Sequence, residues 1–267
     1  MKKKMILVCD RTGGHVYPAL VLARYLRRHD ERYEVLFYGL RQTDREIVTR
    51  EGFRVCGVPL GVRNLVLETI VRSLDGIGVL LKYRPRRVIG FGGRTGFLLM
   101  LFSCVLFIPS AIYEPNAVYG KANRVLSLFV RRVFLGLRLK TRTREVEVGV
   151  PVREEVIAVA DDQAQVRREL GLSPDGKTVL VFGGSSGAHA VNMLVREMVA
   201  RYADGSTEMV SLKGTQFIHI TGSADKAVME SAYAAAGMPA RVFEYYSDMG
   251  RLYRAADVIV CRSGAST

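Results

Sequence analysis

Short unbroken runs of apolar residues alternate along the chain with longer stretches in which apolar positions recur every three or four residues. The runs predict strands at 5–9, 34–38, 87–90, 110–113, 133–135, 178–182, 216–221, 241–243 and 258–261. The longer stretches predict helices at 18–29, 42–51, 95–107, 120–129, 152–170, 188–202, 226–236 and 248–255, with Gly171 closing the fifth as a C-terminal cap. Strands that are apolar throughout, rather than at every second position, are covered on both faces, and their alternation with helices predicts α/β units on parallel sheets. The pattern pauses in the polar stretch 161–176 and restarts at Thr178, which puts the domain junction near 149–153. Two doubly wound domains, 1–150 and 151–267, with a cleft between them, are expected. In such sheets ligands sit at the carboxyl ends of strands.

Composition narrows the class. Apolar residues make up 49% and charged residues 24%, with no Trp, as in ordinary globular domains. Cys9, Cys56, Cys104 and Cys261 are far apart and form no C-x-x-C pair, which suggests buried free thiols in a reducing compartment. The apolar run after the basic N-terminus is too short for a signal peptide. The longest apolar run, 97–108, ends at Pro109, well short of the roughly 20 residues a spanning helix needs.

Charge is distributed unevenly. Residues 1–155 carry 28 Lys and Arg against 14 Asp and Glu, whereas 156–267 carry 11 against 12. The first half therefore suits an acidic partner, whether nucleic acid, an anionic bilayer or a phosphorylated substrate, unless the charge only solubilises it. Within it, 61–87 interleaves apolar residues with Arg63, Arg72, Lys82, Arg84, Arg86 and Arg87. Such a segment is either a buried amphipathic helix or a surface for the headgroup region of a bilayer.

Four loops share one design, a strand running into a small-residue turn before a helix: Thr12-Gly13-Gly14-His15, 90–96, 183–188 and 263–267. Small residues let the backbone approach a ligand, and N–H groups at a helix start favour phosphate. None is a strict dinucleotide or P-loop signature. His15 follows two glycines at a predicted helix start, where the dipole favours the neutral imidazole and allows it to act as a base, although a lone histidine is more often structural. Glu114 and Asn116 lie just past a strand end, and Glu114 is the one carboxylate between Asp75 and Glu145. They are candidates for chemistry or for an ordinary turn and ion pair. Arg153 stands at the predicted junction, where a guanidinium could reach phosphate.

These segments, with 114–117, Pro151-Val152-Arg153, Asp248-Met249 and 261–267, resemble in order and spacing the motifs of the MurG family, peptidoglycan enzymes that add N-acetylglucosamine to a lipid-linked muramyl-pentapeptide. The resemblance covers essentially the whole chain. It implies a GT-B fold of two Rossmann-like domains, the first for the acceptor and the second mainly for UDP-N-acetylglucosamine. It places donor contacts at Thr12, Gly13, Gly14, Asn116, Arg153, Ser185, Tyr246, Ala265, Ser266 and Thr267, and base catalysis or acceptor handling at His15 and Glu114. An inverting transfer on the cytoplasmic face of the inner membrane is implied, with a peripheral anionic-membrane contact and without metal, organic cofactor or nucleic acid.

The chain departs from the family at Asp10-Arg11, Arg94, Pro115, Val150 and Ser186. It also stops at Thr267, where the family continues with more donor-binding residues, so an incomplete second domain with an uncovered sheet is expected. Rival readings are a related enzyme with another lipid acceptor, such as diacylglycerol, and an inactive fragment that only binds membranes. A dinucleotide oxidoreductase would need G-x-G-x-x-G after the first strand, which Thr12-Gly13-Gly14-His15 does not supply.

Overall fold

The computed structural model describes the chain apart from residues 1, 10–12, 41, 59–64, 94–95, 138–142, 159–160, 185–186, 206–211 and 265–267. It divides into two compact units, one over 1–152 and one from Arg153 onward.

The first unit runs β1 (Lys3–Val8), α1 (Gly13–His29), β2 (Tyr33–Tyr38), α2 (Gln42–Arg50), β3 (Arg54–Cys56), α3 (Leu65–Tyr83), β4 (Arg87–Gly90), α4 (Phe97–Val105), β5 (Ser110–Glu114), α5 (Lys121–Leu126), β6 (Arg132–Leu135) and β7 (Glu145–Glu147). Its seven parallel strands lie in the order β3-β2-β1-β4-β5-β6-β7. The chain builds outward from β1 to β3 and then resumes on the other side at β4, so strand order reverses between β1 and β4. Successive side chains of a strand point to opposite faces. Met5, Leu7 and Cys9 accordingly pack under α1 and α2 with Val16, Leu20 and Val48, while Ile6 and Val8 pack under α3, α4 and α5 with Leu80, Leu99 and Leu126. Burial on both faces explains the unbroken apolar run of β1.

The second unit runs α6 (Glu154–Ile157), α7 (Gln163–Glu169), β8 (Lys177–Phe182), α8 (His189–Ala203), β9 (Thr215–Ile220), α9 (Lys226–Ala235), β10 (Ala240–Phe243), α10 (Met249–Ala255) and β11 (Val258–Cys261). Four parallel strands lie in the order β10-β9-β8-β11. Leu180, Phe182 and Ile218 meet α7 and α10 on one face, and Val181 and Phe217 meet α8 and α9 on the other.

The sequence pattern missed several features. β3 and β7 have three residues each, too few for a periodicity to register. α1 begins at Gly13, five residues before the predicted start, because Pro18 lies inside the helix rather than opening it. The predicted helix 152–170 is two short helices, α6 and α7. The second is pinned independently: buried Arg167 donates to the carbonyl of Ala255 at 2.9 Å and to Asp257 at 2.7 Å. Gly171 closes α7 with φ 69°, as expected. Of the cysteines, Cys9 and Cys56 are buried, Cys104 is half-buried and Cys261 is exposed. Cys261 shares its exposure with Val258, Ile259 and Val260 along the whole of edge strand β11.

Candidate functional site

The carboxyl ends of β4 and β5 and the first turn of α1 border a cavity of about 680 Å³ within the first unit. It stands beside the β1/β4 reversal, where adjacent strand ends lead to loops that diverge to opposite faces and leave a crevice. His15, from the first turn of α1, lines it beside Gly92, which follows β4. Gly92 has φ 94°, and a Cβ there would lie 3.3 Å from His15 Nε2 and 3.6 Å from Asn123 Nδ2. Absence of a side chain thus lets the β4 loop run against the imidazole.

Glu114 ends β5 and is buried. Its Oε1 accepts from the backbone N–H of Asn116 at 3.1 Å and from Asn116 Nδ2 at 2.7 Å. Its Oε2 accepts from the backbone N–H of Gly120 at 2.9 Å and from Asn123 Nδ2 at 3.0 Å. Four donors match the four lone-pair positions of a carboxylate, so this side chain ties the loop 115–120 and the start of α5 to the strand. Tyr113, one residue earlier, packs its ring on Phe91 at 5.7 Å and donates to the carbonyl of Gly149 at 3.2 Å. Burial, with the Glu114 charge adding to it, pushes the Tyr113 phenol up to about 12. Arg72 of α3 also lines the cavity and is buried. Burial drives the neighbouring Tyr38 phenol well above its usual range, the Asp75 charge adding to this and the Arg72 charge opposing it.

His15, Glu114 and Asn116 are therefore brought to one cavity. Gly13 and Gly14 open α1 next to it, and Thr12 lies outside the described residues. In the second unit Arg153 directly precedes α6, and Tyr246 packs on Phe243 at 4.8 Å in the loop between β10 and α10. Burial raises the Tyr246 phenol, with Asp248 adding to the effect. Ser185, Ala265, Ser266 and Thr267 lie outside the described residues. Asn123 is hard to read from the sequence as part of a site, since asparagine on a short helix ordinarily faces solvent; its one signal is that it follows Glu114 by nine residues.

The second unit has a buried polar chain of its own. His219 Nδ1 meets Tyr233 Oη at 3.1 Å, its Nε2 meets Asn192 Oδ1 at 3.0 Å, and Asn192 Nδ2 donates to Asp225 at 2.7 Å. Asp225 also meets Nδ1 of His189, the first residue of α8, at 3.0 Å. The Asn192 amide, ahead of His189, holds the Asp225 carboxyl below the usual carboxylate range. Burial lowers His219 to about 4, against which the Asp225 charge works.

Comparison with known proteins agrees with this two-unit layout. Residues 7–135 match the glycosyltransferase family 28 N-terminal domain and residues 178–267 the glycosyltransferase family 28 C-terminal domain. Among solved structures, Acinetobacter baumannii MurG superposes with a TM-score of 0.69 at 23% identity, covering 98% of this chain and 72% of that one. A UDP-GlcNAc 2-epimerase from Neisseria meningitidis bound to UDP-GlcNAc does so with a TM-score of 0.69 at 14% identity, covering 98% and 78%. At these identities the likeness speaks for the fold alone. Two curated relatives carry the name UDP-N-acetylglucosamine--N-acetylmuramyl-(pentapeptide) pyrophosphoryl-undecaprenol N-acetylglucosamine transferase. The one from Bdellovibrio bacteriovorus is 31% identical over all of this chain and 75% of its own length. The one from Desulfotalea psychrophila is 33% identical over all of this chain and 73% of its own. With identity at this level along its whole length, the chain belongs to that transferase family, within glycosyltransferase family 28.

Proposed function

We propose that the chain transfers N-acetylglucosamine from UDP-N-acetylglucosamine to a lipid-linked muramyl-pentapeptide. The observation that carries this reading is the meeting of His15, Glu114 and Asn116 on one cavity at the strand-order reversal of the first unit, in a chain of this family. The acceptor binds the first unit, and the donor is held mainly by the second. His15 takes the proton of the acceptor hydroxyl as its oxygen bonds to the anomeric carbon. The bond from that carbon to the UDP oxygen breaks on the opposite side, UDP leaves with the electron pair, and the configuration inverts. Glu114 fixes the loop that carries Asn116. Arg153 and the helix starts at Gly13-Gly14 and after Ser185 counter the charge on UDP, and Thr12, Tyr246, Ala265, Ser266 and Thr267 add further donor contacts. The scheme uses no metal or organic cofactor. Transfer of radiolabelled N-acetylglucosamine to a lipid I analogue tests it: the chain, extended to its natural end where one exists, is expected to be active, and His15→Ala and Glu114→Ala each to cost at least about tenfold. No transfer by the chain so extended removes the assignment.

A membrane contact belongs to the same reading. Among the described residues no helix is long and apolar enough to cross a membrane. The α3–α5 layer nevertheless exposes Leu74, Leu81, Val105, Leu128, Phe129 and, at 93%, Phe107. Lys82, Arg84, Arg86, Arg131 and Arg132 accompany them in sequence. Apolar groups beside cations suit peripheral binding to an anionic bilayer, at the cytoplasmic face where the UDP-sugar would be met. Flotation with vesicles containing anionic lipid should carry the chain upward. Equal flotation with neutral vesicles would remove the electrostatic part of this contact.

A further inference from the structure

Asn123 is 3% exposed and lines the cavity from α5. Its Nδ2 donates to the carbonyl of Tyr113 at 3.1 Å and to Glu114 Oε2 at 3.0 Å. Those acceptors fix the sense of the carboxamide, because turning it over would set its oxygen against a carbonyl and a carboxylate. Oδ1 is therefore an acceptor held in one orientation, and among the described residues no group donates to it. A buried acceptor left unsatisfied destabilises a fold, and a ligand donor that meets it recovers that loss on binding. Across Gly92 the Nδ2 end of the amide lies near His15 Nε2, so Asn123 and the imidazole share one part of the cavity wall.

We infer that Asn123 has two functions in this site: Nδ2 clamps Glu114, and Oδ1 accepts a hydrogen bond from a hydroxyl or amide N–H of the acceptor sugar, fixing that sugar's orientation beside His15. This rests on the acceptor occupying the cavity, as proposed above. It makes Asn123 a residue that selects acceptors by a donor group at one position. An analogue lacking that group leaves Oδ1 unmet and binds more weakly. A site with a buried hydrogen-bonding group rejects analogues lacking the partner far more strongly than an apolar pocket discriminates between shapes.

The test is a binding series without donor, using a soluble short-chain lipid I analogue and derivatives in which each sugar hydroxyl is replaced by hydrogen or the acetamido N–H by an ester oxygen. One derivative is expected to bind the unaltered chain at least tenfold more weakly than the parent. In Asn123→Ala and Asn123→Ser, parent and derivative should differ by less than twofold. Such coupling is the signature of a direct contact, which a merely structural asparagine would not give. If every donor can be deleted from the analogue with less than a tenfold loss in the unaltered chain, the inference is overturned, whether or not the variants fold. It is also overturned if the full loss persists in the variants, or if the parent analogue does not bind. Binding with the expected coupling but no sugar transfer would sink the catalytic reading alone.

Discussion

Asn123 in the first unit and Asn192 in the second are both buried, each on a helix packed against a parallel sheet, and each donates Nδ2 to a carboxylate. They differ at the other end of the amide. Asn192 Oδ1 meets His219 Nε2, and His219 meets Tyr233, so every polar group in that chain of contacts has a partner. The network closes on itself and holds α8 and α9 to β9. Asn123 instead ends in an acceptor with no donor among the described residues, at the wall of a cavity. The same side chain therefore fastens a fold where its network closes and waits for a ligand where it stays open, at a cost of about 1–3 kcal/mol for the unmet group.

The largest effect should come from removing the carboxylate that anchors the open side. Glu114→Ala deprives four donors of their acceptor and should destabilise the first unit by about 4 kcal/mol while abolishing transfer. Urea unfolding read beside the activity assay checks both, and a variant of unchanged midpoint would remove Glu114 from its anchoring role. On the closed side the test is acid. An unfolded histidine binds a proton near pH 6.5, whereas buried His219 does so only at about 4. Between those values the unfolded state holds more protons, so the His219 contribution is full above pH 6.5 and falls by about 3 kcal/mol as pH drops toward 4. His219→Gln should flatten that part of the stability curve; an unchanged slope would reassign the acid sensitivity. A smaller loss, about 2 kcal/mol, is expected for Asn192→Ala, which leaves Asp225 and His219 each short of a partner. Calorimetry should show the lowered melting point, while affinity for the lipid I analogue stays within about twofold of the original. A large loss of acceptor affinity would mean the closed network is coupled to the site after all.

What could be read in advance follows the same division. Strands such as β1 and β8 announce themselves because both faces are covered, and the loops that follow them are legible because glycine has few reasons to cluster. His15, Glu114 and Asn116 are legible because each lies at or shortly after a strand end. Asn123 and Arg72 were not found as parts of the site, since each is polar on a helix, where the default is solvent. Only the tertiary packing of α3 and α5 against the sheet turns them inward. The break between α6 and α7 was equally hidden, because Arg167 finds its partners about 90 residues later in sequence, at Ala255 and Asp257.

Gly92 gives the smallest effect and the finest probe of the open side. Alanine at φ 94° is strained, and its methyl group would press on His15 Nε2 from 3.3 Å, closer than most packed carbons come to a neighbour. Strain at one such position costs about 1 kcal/mol, too little to unfold the unit. The displacement, though, falls on the imidazole and on the Asn123 amide beyond it, the two groups proposed to meet the acceptor. Gly92→Ala should therefore lower kcat by about tenfold or more through misplacement of the base, with the melting point only slightly reduced. If kcat is kept and only stability falls, the close approach serves packing, and the imidazole at the cavity wall is not the group that takes the proton.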